Sequence, residues 1–189
     1  MSKLAVLFPG IGYNCFKPLL YYSRKAALEQ DYEIFQVEYH DLPENVKGNP
    51  EKMKQAYEMA YDQTVKQLAD VKWEAYTDVL FISKSIGTVV AAKYTTEFVK
   101  SAHNVYLTPV EWTFDYISNP DCLCVHGTRD PWAETGKIQK CCNAMNLGLV
   151  CIDEGNHSLE TGDIKRDISI IEAVMGAVME YIKALIFEK

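Results

Sequence analysis

A chain of 189 residues suits one domain, or at most two small ones, and a compact domain of this size buries roughly 70% of the surface its unfolded chain exposes. Apolar residues make up 48% and charged residues 24%, a globular composition that excludes a disordered chain. The net charge of −7 and the lack of any Lys/Arg run argue against nucleic acid and an anionic membrane surface as partners.

Taken in chain order, short apolar runs alternate with longer amphipathic ones. Leu4–Phe8 is a continuous apolar run stopped by Pro9-Gly10, and reads as a buried strand. Phe16–Gln30 carries Phe16, Leu19, Leu20, Ser23 and Ala27 at helical spacing. Tyr32–Glu38 is the next strand. Asn49-Pro50 opens a helix, Asn as the cap and Pro at the first helical position, with Met53, Ala56, Tyr57, Ala60, Thr64 and Leu68 on one face. Val79–Ile82 predicts a third strand and Gly87–Phe98 a helix; Asn104–Thr108 and Cys122–His126 predict two more strands. A helix near Ala133–Ala144, a strand over Leu149–Ile152 and a long closing helix over Ile168–Ile186 complete the series. This alternation predicts one α/β domain over residues 1–189, a three-layer α/β/α sandwich whose mostly or fully parallel sheet of about six strands is covered on both faces.

The six cysteines, at 15, 122, 124, 141, 142 and 151, form no C-x-x-C and no zinc-ligand spacing with histidine. They read as reduced, core-filling thiols, so neither metal nor cofactor is expected. Met1-Ser2-Lys3 followed by only five apolar residues is not a signal peptide, and the uncharged run Ala173–Met179 is too short to span a bilayer, which needs about 20 residues. A cytoplasmic location is expected. The methionines of the closing helix could pair two copies, so a monomer or a weak homodimer is expected.

In a parallel sheet the chemistry gathers at the carboxyl ends of the strands. The segments there are Pro9-Gly10-Ile11-Gly12-Tyr13, His40-Asp41, Ser83-Lys84-Ser85-Ile86-Gly87, Glu111-Trp112, Gly127-Thr128-Arg129-Asp130 and Gly155-Asn156-His157. Ser85 at a strand–helix junction could be a plain helix cap. A nucleophile on a sharp strand-to-helix turn needs small residues two before and two after it, and Ser85 has Ser83 and Gly87, whereas Ser83 would have Phe81 before it. Asp130 could cap a helix with Pro131 at its first position, or orient a histidine. His157 lies in a polar loop, where a satisfied core histidine is not expected, though it could be a solvent-exposed loop histidine. His40 and His126 lack partners in chain order, and His103 precedes a strand. The glycine turn after the first strand could begin a dinucleotide fingerprint, but its third glycine position is Cys15.

Together the glycine turn, Ser83-Lys84-Ser85-Ile86-Gly87, the His-Gly-x-x-Asp motif ending at Asp130 and the Gly-x-His motif ending at His157 resemble the α/β-hydrolase superfamily, in which Ser, Asp and His follow in this order. The resemblance covers nearly the whole chain. It departs from the family in having Ser83 where the turn usually has glycine, and in starting at the strand that precedes the oxyanion turn. It implies Ser85 as nucleophile, His157 as base and Asp130 as its orienting acid, with Ile11 and Ile86 N–H groups as the oxyanion hole. Only eleven residues, Glu111–Asp121, separate the fourth and fifth strands, which leaves no room for a helical lid. A shallow, open site is expected, lined by Gly12, Tyr13, Glu111, Trp112 and Trp132, as in the dienelactone-hydrolase-like branch but with Ser for Cys. The implied activity is hydrolysis of a small-molecule carboxylic ester or thioester. A non-catalytic member of the fold that binds a ligand or partner, and a flavodoxin-like nucleotide binder, are the alternatives.

Overall fold

The computed structural model describes residues 2–187. Six strands, β1 (Ser2–Phe8), β2 (Tyr32–Gln36), β3 (Tyr76–Lys84), β4 (His103–Leu107), β5 (Cys122–Gly127) and β6 (Gly148–Ile152), form one sheet in the order β2-β1-β3-β4-β5-β6. Every pairing is parallel. Among the described residues there are five α-helices: α1 (Pro18–Leu28), α2 (Pro50–Gln67), α3 (Ile86–Phe98) and α4 (Thr135–Met145) lie between strands, and α5 (Ile164–Phe187) follows β6.

Successive side chains on a strand point to opposite faces, and both faces here are buried. Ala5, Leu7, Leu80, Ile82, Val105, Leu107 and Val125 pack under α1 and α5. Leu4, Val6, Phe8, Val79, Phe81, Tyr106 and Cys124 face α2, α3 and α4. That two-sided burial explains why the strands read as unbroken apolar runs. Each fully buried Leu, Ile or Phe contributes roughly 1.5–3 kcal/mol relative to exposure.

Hydrogen bonding and proline set the helix starts. Asn49 caps α2, its side chain accepting from the Lys52 N–H at 3.0 Å, with Pro50 at the first helical position as expected. Pro18 starts α1, so Phe16, expected on the apolar face of that helix, lies ahead of it and is 72% exposed. Helix α4 begins at Thr135, with Glu134 at the cap position, so Asp130 is not a helix cap. β6 is an edge strand, and Cys151 on it is exposed instead of filling the core; Cys15, Cys122, Cys124 and Cys142 are buried free thiols and Cys141 is half-buried. No helix of the described residues is long and apolar enough to cross a membrane.

Candidate active site

The chain leaves β1 toward β2 on one side and returns to β3 on the other. The ends of β1 and β3 therefore flank the point where strand order reverses, and a crevice opens there. Ser85 stands at this point, between the last residue of β3 and the first of α3. Its backbone has φ 57° and ψ −126°, a sparsely populated conformation for a non-glycine residue that costs roughly 1–3 kcal/mol. The surroundings hold it there. The Ser85 N–H donates to the Leu107 carbonyl at 3.1 Å, and its own carbonyl accepts from the Thr88 N–H at 2.9 Å and the Thr88 hydroxyl at 2.6 Å. Gly87 is required for the same turn: a Cβ there would lie 2.4 Å from the Pro9 carbonyl oxygen. Ser83 takes the position usually held by glycine, fully buried, with its hydroxyl donating to the Val105 carbonyl at 3.2 Å.

Asp130 and His157 come from the loops after β5 and β6. Gly127 lets these loops touch, since a Cβ there would meet the Gly155 carbonyl oxygen at 2.3 Å. The Arg129 N–H donates to that carbonyl at 2.9 Å, and the Glu154 N–H to the Thr128 hydroxyl at 2.8 Å. Beyond them, His157 Nε2 lies 2.7 Å from Ser85 Oγ, and His157 Nδ1 lies 2.7 Å from Asp130 Oδ2. The other carboxylate oxygen, Oδ1, accepts from the Trp132 N–H at 2.8 Å. The Asp130 side chain is wholly buried, so its charge is directed at the imidazole and not at water. Burial pushes the His157 imidazole below its ordinary pKa, against the pull of the hydrogen bond to Asp130. The lowered pKa favours the unprotonated imidazole, which can accept a proton at Nε2.

A cavity of about 350 Å³ opens over Ser85 and His157. Ile11, Ile86, Glu111, Trp112 and Trp132 are among the residues that line it. The Trp132 ring lies 5.8 Å from that of His157. The Ile86 N–H is the first of α3, and the first N–H groups of a helix have no partner within it. Gly12 and Tyr13, also expected at the cavity, are not among its lining. Gly10 and Tyr13 exchange backbone hydrogen bonds at 2.9 and 3.1 Å, and this tight reversal turns the Tyr13 ring inward, where it is buried. Glu111, ion-paired to Lys137 at 3.1 Å, stands at the mouth.

Among the described residues no group of three or more His, Cys, Asp or Glu side chains is placed to hold a metal ion. His40 is exposed, and His103 pairs with Asp121 at 2.9 Å at the start of β4. His126 is buried with Nε2 against the Thr135 hydroxyl at 2.9 Å.

No protein-family model matches the sequence, and no curated protein matches it. Solved structures do match. Est1E from Butyrivibrio proteoclasticus, with ferulic acid bound, superposes with a TM-score of 0.71 at 13% identity, over 98% of this chain and 90% of that one. A lidless α/β serine hydrolase from Xanthomonas campestris gives 0.70 at 9% identity, over 97% and 82%. The Pyrococcus furiosus esterase Pf2001 gives 0.68 at 14% identity, over 97% and 82%. The fold is that of the α/β-hydrolases.

Within the α/β-hydrolase fold, this chain places only a short 3₁₀ helix, Glu111–Asp115, between β4 and β5. No lid stands there among the described residues. Residues outside the strand ends also contribute to the site. Val46, from the segment between β2 and α2, and Met53 of α2 line the cavity and pack with Ile86, Ile11 and Trp132. Val89 of α3 and Val110 complete its apolar wall. The helical spacing of Met53 signalled a buried face, but nothing local showed which element that face would meet.

Proposed function

We propose that the protein is a serine hydrolase that cleaves small carboxylic esters or thioesters through an acyl-Ser85 intermediate. The observation that carries this reading is the continuous hydrogen-bonded line from Ser85 through His157 to Asp130, whose first two members line an apolar cavity. A role in binding alone would give no reason for a strained serine, a base with a depressed pKa and a buried carboxylate to align. The fold shared with an esterase and a lidless serine hydrolase supports the same reading at the level of analogy, as does the resemblance to the dienelactone-hydrolase-like branch.

In this mechanism Ser85 Oγ attacks the acyl carbonyl carbon while its proton passes to His157 Nε2. Asp130 keeps the Nδ1–H in place and stabilises the imidazolium that forms. The tetrahedral oxyanion sits against the N–H groups of Ile86 and Ile11, each worth roughly 3–4 kcal/mol to the transition state. The imidazolium returns its proton to the departing alkoxide or thiolate. Water, deprotonated by His157, then attacks the acyl-serine; the imidazolium passes that proton to the departing Ser85 Oγ, which releases the acid and restores the serine.

Hydrolysis of p-nitrophenyl esters tests the reading. The acyl chain would occupy the space between Ile11, Val46, Met53 and Val89, and among the described residues no lid between β4 and β5 extends that wall. The expected result is a kcat/KM that is highest for short acyl chains and falls toward palmitate. A steady climb toward palmitate would contradict the assignment of this cavity as the acyl site.

A further inference from the structure

Strand alternation sends Lys84, the last residue of β3, to the face opposite Ser83, into the layer beneath α1 and α5. It is 1% exposed. Its ammonium sits 4.9 Å from the centre of the Tyr13 ring, and that ring is fixed in turn by its hydroxyl, which accepts from the Leu19 N–H at 3.1 Å. The hydrogen bond Lys84 Nζ makes is to the main-chain carbonyl of His157, at 2.7 Å. A buried ammonium held by a carbonyl is a costly choice for stability, because desolvating a charge costs several kcal/mol and an apolar side chain of the same length would avoid it. Such costs concentrate where function requires them. This one lies directly before Ser85 in sequence and bonds to His157 in space.

We propose that Lys84 is a positioning residue for the base: its ammonium ties the His157 backbone to the strand that presents Ser85, and its positive charge disfavours an imidazolium standing idle before substrate arrives. The proposal rests on the reading of Ser85 and His157 as nucleophile and base. The bond closes a short circuit, from the end of β3 through the Lys84 side chain to the His157 carbonyl, then through the imidazole back to the Oγ of Ser85, the next residue along the chain. The groups facing Lys84 are the carboxylates of Asp130 and Glu160, the ammonium of Lys17 and the ring of Tyr13. Burial pushes the Lys84 ammonium down to about 7, with Asp130 and Glu160 pulling the other way. Lys84 gains its proton as the pH falls through that value, so its charge opposes protonation of His157 on the acid side of neutrality. Burial is the main cause of the lowered His157 value, and the Lys84 charge acts in the same direction, as does His126; Asp130 opposes them.

Lys84→Met removes both donor and charge while filling the space with an apolar side chain, and is expected to fold with an unchanged or higher Tm. Proton–nitrogen NMR of the imidazoles reads His157 directly. The chain has 4 histidines, and the spectrum of His157→Gln identifies the signal. In Lys84→Met the His157 imidazole is expected to titrate at higher pH than in wild type, and the acid limb of kcat/KM for p-nitrophenyl acetate to move the same way. We expect kcat to fall about 10-fold with KM unchanged, within the ~10²-fold that small misplacement of a catalytic group costs. Lys84→Arg, which keeps charge and donors, is expected to return the acid limb to its wild-type position. A His157 titration in Lys84→Met that coincides with wild type overturns the proposal whatever the rate. A wild-type protein that hydrolyses no ester overturns the hydrolase reading instead, and the NMR titration still decides whether Lys84 acts on His157.

Discussion

Ser85→Ala is expected to abolish ester hydrolysis, lowering kcat by about 10⁴–10⁶, the scale on which removal of a nucleophile acts when several groups work as a unit. The size of the effect follows from geometry. The attacking oxygen is the atom that His157 Nε2 meets at 2.7 Å, and alanine leaves that base with nothing to deprotonate. The fold should survive, because the bonds that hold the turn are made by the backbone of residue 85 and by Thr88, not by the serine hydroxyl. Ser83→Ala is the matched control two residues away. Its buried hydroxyl donates to the Val105 carbonyl, so its loss should cost about 1 kcal/mol of stability and little rate. Initial rates on p-nitrophenyl acetate, with circular dichroism to verify folding, compare the two. Retained activity in Ser85→Ala, or loss confined to Ser83→Ala, contradicts the assignment.

Asp130→Asn should lower kcat by about 10⁴, the loss that removal of the carboxylate charge causes in a comparable triad. Asparagine can preserve the turn, since its side-chain oxygen can still accept from the Trp132 N–H. Its amide would then face His157 Nδ1, favour the tautomer with the proton on Nε2 and leave the imidazolium unsupported. Glu111 also follows a strand and could have been the acid. The structure places its carboxylate against Lys137 at the cavity mouth, and the hydrogen bond to His157 Nδ1 is made by Asp130. Glu111→Gln removes an exposed ion pair worth about 0–1 kcal/mol and should act on KM more than on kcat. Kinetic constants of both variants across pH distinguish the roles. A greater loss of kcat in Glu111→Gln than in Asp130→Asn would reverse them.

Features that depend on local pattern were readable in the chain itself. The apolar runs of β1, β3, β4 and β5 are unbroken because both faces of the sheet are covered, and each lies within a few residues of its expected bounds. Gly87 and Gly127 occupy places where any Cβ would strike a backbone carbonyl, and small residues at such positions mark a turn in the sequence itself. The order Ser, Asp, His at three strand ends was legible for the same reason: parallel strands deliver their carboxyl ends to one edge. The features that were not legible depend on long-range partners. Tyr13 looked like a cavity residue because it follows the glycine turn, yet the reversal from Gly10 to Tyr13 drives it inward over Lys84. Nothing in the serine motif itself assigns Lys84 a partner; the arrival of the His157 loop supplies a carbonyl for its ammonium. Val46 and Met53 close over the cavity from a segment whose sequence shows no feature tying it to β3. Cys151 sits in an apolar run, but β6 is the last strand of the sheet, and an edge strand exposes residues that a central strand would bury.

The central claim is that Ser85 is an activated nucleophile, and covalent labelling with a fluorophosphonate followed by peptide mass spectrometry tests it most directly, with no need to know the substrate. Trypsin separates the two serines of the motif, because it cuts after Lys84: Ser83 falls in residues 73–84 and Ser85 in residues 85–93. A single adduct on residues 85–93 is predicted, formed rapidly at neutral pH, suppressed at low pH where His157 is protonated, and absent from Ser85→Ala. A protein that takes up no label, or whose adduct lies on residues 73–84 and persists in Ser85→Ala, would contradict the account.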